Sequence, residues 1–389
     1  MRRGLTWLLV AGGVLGCSYT AKTGSATGPG VELLRTPNGG IQPRLALDSR
    51  GVVHLIYYQG DDRAGDIYYV RKGPGDTDFS QPIRVNSEPG SALAVGGVRG
   101  AQMALGKGGR VHVAWVGSSK VQPRGPGNST PMLYARMNDS GTAFEPQRNV
   151  MQFAAGLDGG GSVAADLNGN VYVVWHADPS GRGERRARVW VARSSDEGTT
   201  FRRETPASRA ALGACGCCEL RAFADVEGNL CVFYRAAANG IHRDMRLLVS
   251  HDHGATFMET LVAPWNLNAC PLTTSAITEA QRGLVLAWQT GDQVFFTAEN
   301  RSNSSWSDPV GAPGLADDRK FPAIAANDRG QTLLAWTEGT GWERGGLLAW
   351  QVFDESGRPT KIQGRARGVP LWGLVAAFAK PDGSFAIVY

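Results

Sequence analysis

Seven times along this chain a glycine is followed five or six residues later by an aromatic, with a hydrophobic run between them. The glycines are Gly51, Gly109, Gly169, Gly228, Gly283, Gly330 and Gly383, and the aromatics are Tyr57, Trp115, Trp175, Tyr234, Trp288, Trp336 and Tyr389. Successive aromatics lie 58, 60, 59, 54, 48 and 53 residues apart. A repeat of roughly 40–60 residues built from short strands is what a β-propeller needs, because each blade buries its faces only against its neighbours. The period therefore predicts an all-β propeller of four-stranded antiparallel blades. Seven blades are expected, or six if one repeat fails to form a blade.

The third repeat illustrates the unit, with an inner strand at 162–166, a second at 171–175, a third at 188–193 and an outer strand at 202–205. Second strands are apolar at successive positions (Val173 and Val174; Leu333, Leu334 and Ala335). Continuous hydrophobicity means that both faces are covered, as when a blade is sandwiched between two others. The seventh repeat holds only two strands, 374–379 and 385–389, and residues 31–36 read as an unpartnered outer strand. Joining them closes the ring with a three-stranded last blade and removes open sheet edges.

The charge balance is mild: formal net charge +5 and 19% charged residues. Lys and Arg are spread along the chain without a basic stripe, which argues against nucleic acid as a partner. At the N-terminus Arg2 and Arg3 precede an apolar run, residues 5–15, too short to span a bilayer. It ends in Val14-Leu15-Gly16-Cys17, which resembles the bacterial lipoprotein signal, with lipidation at Cys17. The expected division is a signal at 1–16, a polar flexible tether at 17–30 and one propeller domain at 31–389. That implies a monomer on a lipid anchor in the bacterial cell envelope, facing periplasm or exterior. A plain secretory signal is the alternative, and either one permits disulfides.

Two hairpins share the pattern Ser-x-Asp-x-Gly-x-Thr-Phe. One runs through Asp196, Gly198 and Phe201, the other through Asp252, Gly254 and Phe257. An Asp carboxylate can accept hydrogen bonds from turn amides, and Gly supplies a backbone angle that other residues avoid. The motif resembles the Asp-box, or bacterial neuraminidase repeat, of the sialidase superfamily, and implies a structural role for these residues. The family implies three Arg clamping a substrate carboxylate, a Tyr assisted by a Glu, and an acidic proton donor. In the stretch matching its first Arg motif, Ile41 stands where the Arg belongs, and Arg44 comes late in the strand. No triad assembles, so the reading leans away from an enzyme; an exo-acting sialidase-like hydrolase is the rival.

Function is expected where one repeat differs from the others. Before the fourth inner strand stands Cys215-Gly216-Cys217-Cys218-Glu219-Leu220-Arg221, and before the fifth Trp265-Asn266-Leu267-Asn268-Ala269-Cys270. Cys215 and Cys270 both lie 13 residues ahead of their turn glycines, which places them in adjacent blades at equivalent positions. Arg235, His242, Arg243 and Asp244 belong to the fourth repeat's second loop, and His176 ends a second strand. Arg344 follows Trp342 in a loop that offers an aromatic stacking surface. These residues, with Glu219, Arg221, Trp265 and Asn268, are the candidate ligand-binding set on the top face, for a glycan or a protein partner. Three readings compete for the cysteines: a disulfide from Cys270 to Cys215, Cys217 or Cys218; a copper or zinc site using several thiolates; or thiol redox chemistry. No cofactor is otherwise expected. Cys231, His54 and His112 lie inside strands and read as core.

Overall fold

The computed structural model describes residues 27–28, 30–157, 159–315 and 317–389. The expected signal segment, Cys17 and most of the 17–30 tether lie outside the described residues. Seven sheets succeed one another along the chain, with inner strands Ile41–Leu47, Gln102–Leu105, Gly161–Ala165, Arg221–Ala224, Ser275–Ala280, Arg319–Ala326 and Ala376–Ala379. Each inner strand packs against the next, and the seventh packs against the first, which closes the circle. The fold is a seven-bladed propeller of four-stranded blades. A short extra strand, Val310–Gly311, also pairs with the third strand of blade five.

The second strands are the best buried. Every residue of Val171–Ala177 and Leu230–Arg235 is buried, as their unbroken apolar pattern requires. The repeat aromatics fill the gaps between blades. Trp175, for instance, packs with Tyr134 of blade two and Val163 of its own blade. His54 and His112 are structural: each ring Nδ1 lies 2.7 Å from a tyrosine hydroxyl, of Tyr69 and Tyr134 respectively. Cys231 is buried among Phe233, Leu247 and Leu286.

The two Asp-motif hairpins share one geometry. Asp196 accepts from the Ser194 hydroxyl at 2.6 Å and from the Thr200 amide and hydroxyl at 2.9 and 2.6 Å. Asp252 does the same with Ser250 and Thr256, at 2.7, 2.8 and 2.6 Å. Gly198 and Gly254 both sit at φ 77°, where a side chain would be strained. Phe201 packs edge-on to Tyr134 at 4.9 Å between ring centres.

Ring closure differs from expectation in two respects. The seventh blade has four strands, not three, because Thr27–Gly28 pairs outside Val31–Leu34. Val31–Leu34 is thus the third strand of that blade rather than its outer one. It also pairs parallel to Phe385–Val388, the one parallel pair in a blade expected to be antiparallel throughout. Connectivity explains this. Val31–Leu34 leads within six residues into Ile41–Leu47, so it must run toward the face where inner strands begin, as Phe385–Val388 also does.

Candidate functional site at the axial mouth

Inner strands run away from one face and second strands return to it. The loops before the inner strands therefore share that face with the loops joining second to third strands. Down the axis runs a channel of about 440 Å³ lined by residues of all seven inner strands. Alanine is the commonest residue of its wall, with Ala46, Ala104, Ala165, Ala224, Ala325 and Ala379 among the lining residues. Charged groups gather where the strands begin.

There Arg44 of blade one forms a salt bridge with Glu219, which stands just ahead of blade four. Gln102 of blade two donates to the same carboxylate oxygen at 2.7 Å. Arg221 donates to the Gln102 side-chain oxygen and lies 3.8 Å from Glu219. The second oxygen of Glu219 accepts from the Ser275 amide of blade five at 3.4 Å. Four blades thus meet on one buried carboxylate. Two guanidiniums and one carboxylate leave an excess positive charge. Nε of Arg44, Nε of Arg221 and Oγ of Ser275 make no hydrogen bond within the protein. Burial, with the neighbouring charge of Arg44, pulls Arg221 down to about 10, against the attraction of Glu219.

Arg44 reaches the axis because its strand is irregular. Ile41 pairs with Tyr58 and Arg44 with Ile56, so two residues oppose one, and Gln42 takes φ 55° in the bulge. The Gln42 side chain fixes this turn by donating to the carbonyls of Ala94 and Trp372 at 2.6 and 3.2 Å. Blade six repeats the device with a bulge between Lys320 and Ala323 and Phe321 at φ 52°. Sequence spacing along a regular strand hid this, because a bulge has no firm sequence signature beyond Pro43 and Pro322.

The cysteine loop borders the mouth directly. Cys217 and Cys270 form a disulfide that ties the loop before blade four to the loop before blade five. Cys215 and Cys218 are buried thiols. The sulfurs of Cys215, Cys217 and Cys218 lie within 4.8 Å of one another. With Cys217 bonded to Cys270, two thiols of that trio remain free to bind a metal.

Most of the other candidates form the framework behind this loop. Arg235 is 2% exposed; it donates to the Thr273 hydroxyl at 3.0 Å and to the carbonyls of Arg243 and Gln289, and lies over the Trp265 ring at 4.8 Å. Arg243 makes a bidentate pair with Glu184 of blade three at 2.7 and 2.6 Å. Asp244 accepts from the Trp265 amide at 3.1 Å and from Arg246 at 3.2 Å. His242 is half-buried and lies 2.8 Å from Asn266 Oδ1, while Asn268 is exposed in the loop that holds Asn266. His176 is buried, with Nε2 3.0 Å from the Gly216 carbonyl. Of the sequence-derived set, only Glu219 and Arg221 belong to the axial network.

An aromatic wall stands beside Gly96. Trp342, 56% exposed, packs edge-on to Trp372 at 4.8 Å, and Trp372 donates to Asp62 at 2.7 Å. A Cβ on Gly96 would lie 3.6 Å from the Trp342 ring. Arg344, exposed, pairs with Asp318 at 2.7 Å. Arg319, which opens the inner strand of blade six, donates to the carbonyls of Ala312 and Pro313 and to the Gln293 side chain, and its Nε lies 3.6 Å from Glu338. The Tyr234 hydroxyl donates to Glu259 at 2.7 Å, but Tyr234 packs between blades three and four, away from the channel.

No protein-family model matches the chain, and no curated protein matches it. Solved structures do. A protein of unknown function from Dyadobacter fermentans superposes with a TM-score of 0.55 at 14% identity, covering 82% of this chain and 96% of that one. An ulvan lyase, a polysaccharide lyase bound to a GlcA(1-4)Rha3S unit, gives 0.54 at 15% identity, over 87% of this chain and 88% of its own. Trypanosoma rangeli sialidase in complex with sialic acid gives 0.50 at 15%, over 78% of this chain and 52% of the sialidase. This chain shares their propeller fold. At such identities the likeness extends to fold alone.

Proposed function

We propose that this chain is an extracytoplasmic propeller that binds a carboxylate-bearing glycan at the mouth of its axial channel, beside blades four and five. The observation that carries the reading is the convergence of Arg44 and Arg221, from opposite parts of the ring, on a single carboxylate. The surplus cation favours an anionic ligand, and a guanidinium matches the geometry of a carboxylate. Trp342 supplies an exposed ring at the same face for a sugar to stack on. The bound glucuronate unit of the ulvan lyase and the sialic acid of the trypanosomal sialidase are both carboxylate sugars on this fold.

The Ser-x-Asp-x-Gly-x-Thr-Phe hairpins support placing the chain among the Asp-box propellers of the sialidase superfamily, as a binding rather than a hydrolytic member. We further assign Cys17 as a lipid attachment point holding a monomer to the cell envelope, on the strength of Val14-Leu15-Gly16-Cys17. Cys17→Ser should then move the protein from the membrane fraction to the soluble one.

Calorimetric titration of the mature protein tests the ligand reading, with 3′-sialyllactose, a glucuronate oligosaccharide and neutral lactose as probes. Binding to one of the acidic sugars and none to lactose is expected. Equal binding to all three, or to none, would overturn it. Release of free sialic acid from 3′-sialyllactose would instead favour the hydrolase.

A further inference from the structure

The sulfurs behind the axial mouth carry a second inference, independent of the ligand reading. Cys215 Sγ lies 3.6 Å from Cys217 Sγ and 2.7 Å from Cys218 Sγ. Cys217 is bonded to Cys270. Exposure falls along the series: Cys270 is exposed, Cys217 half-buried, and Cys215 and Cys218 buried. The four sulfurs therefore lead from solvent to the interior in the order Cys270, Cys217, Cys215, Cys218.

We propose that this cluster is a thiol–disulfide relay, in which the buried Cys215–Cys218 dithiol exchanges with the Cys217–Cys270 bond. In the first step Cys218, as thiolate, takes the proton of Cys215 while Cys215 attacks the Cys217 sulfur. The Cys215–Cys217 bond forms, the Cys217–Cys270 bond breaks, and Cys270 leaves as thiolate. In the second step Cys218 attacks the Cys215 sulfur, forming Cys215–Cys218 and expelling Cys217, which receives the Cys218 proton. One disulfide is made and one is broken, so no outside oxidant is needed.

The surroundings suit each role. Burial raises the Cys218 thiol, but the Cys215 hydrogen bond, the Arg235 guanidinium and the Thr273 hydroxyl at 3.3 Å together bring it down. Cys215, donating to Cys218 and buried, is held up, as befits the partner that keeps its proton until attack. The exchange replaces a bond between two blades with a bond inside one loop and sets free an exposed thiol at Cys270. Glu219 follows Cys218 directly in the chain, so the axial carboxylate sits one residue from the relay.

The test uses mature protein purified without reductant, exposed to N-ethylmaleimide in mildly alkaline buffer, quenched with acid and mapped by mass spectrometry. Wild type should gain label on Cys270 and Cys217 in molecules that carry a Cys215–Cys218 disulfide. Cys215→Ser should lose the Cys270 labelling. Cys218→Ser, which lacks both the base of the first step and the nucleophile of the second, should reach the mixed Cys215–Cys217 disulfide with Cys270 labelled more slowly than wild type, with hydroxide as base, and go no further, which keeps the proposal falsifiable if Cys215→Ser does not fold. Three results would overturn it: Cys270 labelling equal in wild type and Cys215→Ser; a fully oxidised cluster with both bonds and no label; or a copper or zinc ion held stoichiometrically by these sulfurs.

Discussion

Arg44 and Glu219, 175 residues apart in sequence, form a salt bridge across the mouth of the channel, with the Glu219 side chain 1% exposed. Removing one partner of a buried pair strands the other, which costs more than the pair itself contributes. Glu219→Ala should therefore destabilise the fold by about 3 kcal/mol in urea denaturation, because it leaves Arg44 and Arg221 facing each other. Glu219→Gln should cost less. Two variants as stable as wild type would show that the network is not holding the ring.

Acid should weaken the protein through His112. Burial, with the charges of Arg110 and Arg136, lowers its ring to about 3 from an ordinary 6.5. The folded state thus binds fewer protons than the unfolded state between those values. Stability from the neutral ring is complete above about pH 6.5 and is lost as pH falls toward 3, at about 1.4 kcal/mol per pKa unit. Denaturation of wild type and His112→Phe at pH 7 and pH 4 should show a smaller pH loss in the variant.

The Asp hairpins should prove to be scaffold. Asp196→Ala removes the acceptor of three hydrogen bonds on an exposed turn and should cost about 1–2 kcal/mol. Asp252→Ala should behave alike, and the two costs should add, the hairpins being on separate blades. Neither should alter sugar binding, as titration of the same samples would reveal.

Trp342 is predicted to act mainly on the ligand. Its ring is more than half exposed and touches Trp372, so Trp342→Ala should lower the melting temperature only slightly while weakening acidic-sugar binding about tenfold, the scale of a lost stacking contact. A lowered melting temperature with unchanged affinity would assign the ring to packing.

The ring was readable from the glycine–aromatic period because each blade must repeat the same burial problem, and Trp175 and Tyr234 lie where that period puts them. The last blade was less readable, since Thr27–Gly28 pairs through its backbone and leaves no side-chain pattern. At the site, the departure from the repeat led to Glu219 and Arg221. It led equally to Arg235, Arg243 and Asp244, whose charges are satisfied within the framework. Regular strand spacing places Arg44 two residues late for the axis, and the bulge at Gln42 and Pro43 brings it there. Gln102 carried no signal, as its role exists only where four blades meet.

The most direct measurement is a crystal structure of the mature protein soaked with a glucuronate oligosaccharide. A sugar carboxylate within hydrogen-bond distance of Arg44 or Arg221, with a ring against Trp342, is the predicted result. A sugar seated elsewhere on the ring, with the Arg44–Glu219 mouth untouched, would contradict it.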